Sequence, residues 1–121
     1  MMFRPELAAA VMAGEKTVTR RACTDNPRSP WWRCCCSLSV GQSVAIQPGR
    51  GKHAIGRATV VSVKRQRLGH LTPAEARAEG FATPEAFEET FTAINGAYDP
   101  NLEVWRIGLA VDETRESTDD R

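Results

Sequence analysis

The stretch Gly14-Glu15-Lys16-Thr17-Val18-Thr19-Arg20-Arg21 brings three cations and two hydroxyls into eight residues. On an extended strand successive side chains point to opposite faces. Thr17, Thr19 and Arg21 then share one face, and Val18 and Arg20 take the other. Lys16 follows Gly14, where a preceding helix stops, so it need not obey the alternation and its amine can swing to the Thr19 side. A lysine beside a hydroxyl and a guanidinium suits two chemistries. One is an anion or nucleotide site; the other is a nucleophile–base pair in which the amine takes the hydroxyl proton. An ordinary half-exposed strand has a similar composition, because the branched Cβ of threonine favours strands. Spacing alone leaves both readings open.

The flanking segments must position these groups. Residues 5–13 carry a helix signal: Pro5 fits a first turn, Glu6 suits the positive end of the helix dipole, and Leu7, Ala10 and Val11 fall on one side. Gly14 is a natural stop. Residues 17–23 form a strand candidate, and 25–30 a loop by composition. Trp31 and Trp32 come next, beside Arg33. Exposed indoles there stack on bases, and buried ones supply core area; one of each is expected, with Trp32 taken as a substrate contact. Residues 43–46 alternate, with Val44 and Ile46 inward. Residues 48–52 make a basic turn whose Arg50 and Lys52 suit a phosphate, or simply a solvated hairpin tip. Residues 53–67 are the longest strand signal, with Gly56 marking a bulge or bend that suits a curled small barrel.

The second half opens on a clear helix start: Thr72 as N-cap, Pro73 at the first position, and Glu75 reaching back in a capping box. Gly80 ends this helix. Glu79 lies in its last turn, where a carboxylate opposes the dipole, so either a lysine or arginine holds it or it is solvated. Thr83-Pro84 repeats the cap, and Phe87, Phe91 and Ile94 follow at helical spacing as a core stripe. Residues 103–111 read as a closing strand, with Val104, Arg106 and Gly108 on one face and Trp105, Ile107 and Leu109 on the other. Residues 112–121 have almost no apolar content and are expected to form a disordered acidic tail.

At 121 residues, 41% apolar and 26% charged, the chain has the make-up of one ordinary globular domain over residues 1–111. No apolar run is long enough to span a bilayer. The N-terminus lacks a signal-peptide pattern, which points to a cytoplasmic protein. Residues 1–67 hold twelve Lys or Arg against three acids, near +9, and residues 68–121 hold four against twelve, near −8. A basic half suits phosphate backbones; equally, the halves can fold together and neutralise one another. Cys23 and the run Cys34-Cys35-Cys36 lack metal-ligand spacing, so they are read as reduced thiols packed beside the tryptophans. No metal and no cofactor is expected.

In their order and spacing these pieces resemble an ASCH domain of the PUA-like superfamily, over nearly the whole span from Phe3 to Val111. The motif Gly14-x-Lys16-x-x-Thr19-x-Arg21 matches the threonine version of that family's pattern. Val40-Gly41-Gln42-x-Val44, Ala76-Arg77-Ala78-Glu79-Gly80-Phe81 and Val104-Trp105-Arg106-Ile107 follow in register. The resemblance implies an α+β fold: a small, mostly antiparallel β-barrel with flanking helices beside a cleft that binds RNA or a modified nucleoside. No obligate protein partner is inferred, and no membrane partner is expected. The threonine version is similar to small bacterial amidohydrolases acting on N4-acetylcytidine. Carried over by motif, this implies Lys16, Thr19 and Glu79 as catalytic residues. Thr17, Arg20, Arg21, Trp32, Arg50 and Lys52 are then the expected substrate contacts. A non-catalytic RNA-binding module, or a ribonuclease, is the alternative. The Cys- and Trp-rich loop after the motif and the aromatic helix after Glu79 depart from those enzymes and bear on the substrate.

Overall fold

The computed structural model describes residues 1–112. Three helices, α1 (Pro5–Met12), α2 (Pro73–Ala78) and α3 (Pro84–Asn95), accompany four strands. The strands are β1 (Val18–Ala22), β2 (Ser43–Ile46), β3 (Gly56–Arg67) and β4 (Glu103–Val111). They form one antiparallel sheet in the order β1-β4-β3-β2, so the last strand is inserted between the first and the third.

The alternation read along β4 assigns the two faces of this sheet. Ile107 and Leu109 join Val44, Ile46, Ala58 and Val60 beneath Phe3 and the Ala8 and Val11 side of α1. Val104 points the other way, into a second cluster with Leu68, Leu71, Ala76, Phe87 and Phe91 from the α2–α3 side. Each large apolar side chain fully buried in these clusters contributes about 1.5–3 kcal/mol. Trp105 takes the first face and Arg106 the second, so the second face carries charge beside its apolar cluster.

The irregularity in β3 lies elsewhere than expected. The strand starts at Gly56, and the register shifts between Val60 and Ser62, which leaves Val61 half exposed. Ser62 then sits opposite Gly108, where an added Cβ would lie 2.4 Å from the serine oxygen. Only glycine admits so close a cross-strand approach.

The sheet does not close into the barrel that was expected. β1 and β2 are its two edges and do not pair with each other. The gap is spanned by residues 1–3. Met2 forms a parallel bridge with Gln47, the Phe3 amide donates to the Gln47 carbonyl at 2.9 Å, and the Gln47 amide donates to the Met1 carbonyl at 2.8 Å. From the other edge, Arg21 Nη2 donates to the Met2 carbonyl at 3.0 Å. An open sheet with a strap across its mouth therefore stands where a closed barrel was anticipated. No helix among the described residues is long and apolar enough to cross a membrane.

Asp112, assigned in advance to the tail, is hydrogen-bonded through its amide to the Arg57 carbonyl at 3.0 Å and through its carboxylate to Thr59. The rest of the expected tail lies outside the described residues.

Candidate functional site

The turn after α1 delivers Lys16. The amides of Glu15 and Lys16 both donate to the Ala10 carbonyl, wrapping the chain tightly over the helix end. The next amide, Thr17, donates to the Ala78 carbonyl at 2.8 Å and docks the start of β1 on the end of α2. That contact sets Glu79, the C-cap of α2, against Lys16. Gly80 follows with a φ of +94°, and a Cβ there would sit 3.2 Å from that of Lys16, so the glycine is required both for its conformation and for room.

The Lys16 ammonium is buried and donates three hydrogen bonds: to the Val18 carbonyl at 2.8 Å, the Glu79 carbonyl at 2.8 Å and Glu79 Oε1 at 2.9 Å. Glu79 Oε2 accepts from Arg20 Nη1 at 2.8 Å, and Arg20 Nη2 reaches Glu75 Oε1 at 2.5 Å. Arg106 grips the same Glu75 through Nε and Nη2, each at 3.2 Å. Charges thus alternate along a chain Lys16–Glu79–Arg20–Glu75–Arg106 running from the cavity described below to the sheet face. The carboxylate that the helix dipole disfavours is held by two cations, as expected. Glu75 does cap with its amide, which donates to Thr72 Oγ1. Its carboxylate turns to the two arginines instead of back to the N-cap.

Burying such a network is costly in desolvation, and removing one member from a buried pair typically costs about 3–5 kcal/mol. Burial is the largest influence on Lys16 and holds its pKa below the ordinary lysine value; the Glu79 carboxylate opposes this, and Arg21 and Arg20 add to it. Burial likewise lowers Arg21. Hydrogen bonds from Arg106 and Arg20 hold the Glu75 carboxyl below the usual carboxylate range. Arg20 Nε is buried with no partner among the described residues.

Thr19 is buried on the opposite face of β1 from Arg20, and its Oγ1 accepts a long hydrogen bond, 3.4 Å, from Arg21 Nε. The Lys16 amine does not bond to Thr19; its three hydrogens go to the Val18 carbonyl and Glu79. The expected swing of the amine toward Thr19 is therefore replaced by an ammonium whose hydrogens are all donated elsewhere.

Lys16, Thr19, Arg20, Arg21 and Glu79 all line one cavity of about 470 Å³. Its remaining wall is largely apolar and aromatic: Phe3, Leu7 and Trp31 on one side, Phe81, Phe87 and Phe91 on the other. The Arg21 guanidinium lies over both the Phe3 ring, at 5.0 Å, and the Trp31 ring, at 5.5 Å. This is a pocket for a partly aromatic, polar-headed molecule, with donors and a hydroxyl at one end.

Four expected contacts lie outside the cavity wall. Thr17 is exposed and serves through its backbone. Trp32 bridges to Thr24 and accepts from Trp105 Nε1 at 3.0 Å through its carbonyl, while its neighbour Trp31 enters the cavity. Arg50 and Lys52 are exposed in the turn after β2, at the sheet edge remote from β1. Sequence reasoning did not pick out Phe3, Trp31 or Phe81 as wall residues, nor the second carboxylate, Glu75. A Trp-Trp pair after a basic strand was the available signal for Trp31, but it does not say which indole turns inward. All four cysteines are free: Cys23 buried, Cys34 and Cys35 exposed, Cys36 packed partly against the core with Trp31.

No family model matches the chain, and no curated protein matches it either. Solved structures do. An ASCH domain from Lactobacillus crispatus superposes with a TM-score of 0.63 at 14% identity, covering 88% of this chain and 70% of that one. A protein from Enterococcus faecalis described under the family model DUF984 gives 0.60 at 19%, covering 88% and 69%. An ASCH protein from Zymomonas mobilis gives 0.59 at 21%, covering 90% and 64%. The fold is that of ASCH domains, and the chain spans about two thirds of the length of these solved chains.

Proposed function

We propose that this ASCH-fold chain, read as one unit over residues 1–111, binds a cytidine in the 470 Å³ cavity and hydrolyses an acyl group from its N4 amide, with N4-acetylcytidine as the type substrate. The observation that carries the reading is the convergence on one cavity of a buried lysine, a buried glutamate and a buried threonine hydroxyl. Among the described residues that hydroxyl donates to no protein group. The aromatic wall suits a pyrimidine face.

In this reading Thr19 Oγ attacks the acyl carbonyl. Lys16 is the base. When it loses a proton it keeps two of its hydrogen bonds and gains a lone pair, which accepts the Thr19 proton as the Oγ–C bond forms. The resulting ammonium returns that proton to N4 as the C–N4 bond breaks, releasing cytidine. Water then hydrolyses the threonyl ester by the reverse route. Arg21, within reach of Thr19 Oγ1, is the side-chain donor best placed for the oxyanion. Glu79 is a positioning residue that holds the Lys16 amine. Incubating the purified chain with N4-acetylcytidine and resolving cytidine by chromatography tests this. Thr19→Ala and Lys16→Met are expected to lower turnover at least about 100-fold. Full turnover in Thr19→Ala, or none in the unaltered chain, overturns it.

One observation favours a second reading. An ammonium with all three hydrogens donated is well suited to remain charged as a structural or binding cation. A non-catalytic RNA-binding module would then release no cytidine yet bind oligonucleotides with an affinity that falls with salt.

A further inference from the structure

The register of the sheet lines up three cations on one face. Arg20 of β1 lies opposite Arg106 of β4, and Arg106 lies opposite Lys64 of β3. Like charges directly across a ladder are destabilising unless an anion bridges them. Glu75 bridges Arg20 and Arg106 and stops there. Lys64 is exposed and, among the described residues, forms no ion pair. Among the residues lining the hollow described next, these three cations stand against Glu75, three positive charges against one negative, with Arg20 also paired to Glu79.

This row opens into a second hollow of about 400 Å³, separate from the aromatic cavity and sharing only Arg20 with it. Gln66, one strand position pair along from Lys64, and His70 lie in its wall. Gln66 offers the hollow a neutral amide donor, while the His70 imidazole faces the Glu88 carboxylate at 3.5 Å through Nδ1. In contrast to the first cavity its lining is mainly polar.

We infer that this hollow is a phosphate-group site, in which Lys64 and the free edge of Arg106 hold a phosphate belonging to a nucleotide or an RNA strand. Both Glu75 oxygens are engaged by the arginines, so the carboxylate presents little free charge to the anion. The inference goes beyond the amide chemistry proposed above and does not depend on it, since neither Lys64 nor Gln66 touches Thr19, Lys16 or the first cavity.

The test is anisotropy of a labelled single-stranded RNA of ten nucleotides on the full chain, across a salt series. Lys64→Gln is expected to raise Kd roughly threefold to tenfold near 50 mM salt and to flatten the plot of log K against log salt by about 0.7, one phosphate contact. Arg28→Gln, an equal charge change in the exposed loop after β1, should leave the slope as it is. Lys64→Glu should weaken binding further. Cytidine 5′-monophosphate as competitor separates the two sources: displacement that cytidine does not match assigns the phosphate to a mononucleotide, and no displacement assigns it to a strand. If Lys64→Gln behaves as Arg28→Gln does, or if the chain binds neither probe at low salt, the site is overturned. Cytidine release from N4-acetylcytidine is read separately, so a failure of either proposal does not disguise the other.

Discussion

At the level of single residues, the chemistry turns on how one amine is poised. Lys16 is a base only as the neutral amine, and three acceptors favour the ammonium. Burial favours the neutral form and prevails, setting the pKa below the ordinary lysine value. Turnover should therefore rise with pH along a limb whose midpoint lies below that value. Glu79 pushes the amine upward, so Glu79→Gln should move the limb to lower pH even as its loss of positioning reduces the maximum rate. A kcat/KM–pH profile of both forms checks this; a midpoint that stays put or moves upward would show that Glu79 does not act on the amine. The same depression sets a sign for stability. Between the lowered folded value and the ordinary unfolded one, the unfolded chain binds the proton more tightly. The folded state thus gains stability as pH rises through that window. Glu75 has a consequence of the same sign at the acid end, where the stability from its arginine bonds is lost as pH falls through its depressed value.

At the level of elements, α2 is the part on which the site depends most and the one least able to form alone. Six residues are too few for a helix to persist by propensity. It is held by the Thr72 cap, by burial of Ala76 against Val104 and its neighbours, and by the ion pairs of Glu75 and Glu79. Thr72→Ala should cost about 1 kcal/mol in chemical denaturation. It should also lower turnover, although Thr72 lies outside the cavity, because loosening the first turn loosens the Glu75 anchor of Arg20. Turnover unchanged beside that loss of stability would mean that Arg20 is positioned without Glu75. Much of this element was legible in the sequence. Thr72-Pro73, Thr83-Pro84, Gly80 and Gly96 act over one turn, and local grammar reports local geometry. The two faces of β4 were legible for the same reason, as was the meeting of Lys16 and Glu79 through motif order. Other features were not. The use of Glu75 as a bridge, the bulge at Val61, the entry of Trp31 instead of Trp32, and the open sheet all depend on partners tens of residues away. A one-dimensional pattern carries no signal of which edge finds which.

At the level of the whole molecule, the lopsided charge resolves in large part into pairing between the two halves. Lys16, Arg20 and Arg33, all from the basic half, bind Glu79, Glu75 and Glu103 from the acidic half, so the halves do neutralise one another across the site. Lys64 and the exposed Arg50, Lys52 and Arg67 remain over, without carboxylate partners among the described residues. β1 and β2 never meet, and residues 1–3 join them by two backbone bonds at Gln47, one from the Met1 ammonium to the Ala45 carbonyl at 2.6 Å, and one guanidinium bond from Arg21. Arg21 also stacks on Phe3, so a single side chain fastens the strap and forms a wall of the cavity. Arg21→Gln removes a charged donor worth about 1.5–3 kcal/mol, or roughly tenfold and upward in a local opening constant. Hydrogen exchange at the Phe3 and Gln47 amides should accelerate by that factor, while the Val60 and Leu109 amides in the sheet interior keep their rates. A strap that opens no faster without Arg21 would be one held by its bonds to Gln47 and Ala45 alone, and the cavity would then owe its closure to the β2 edge.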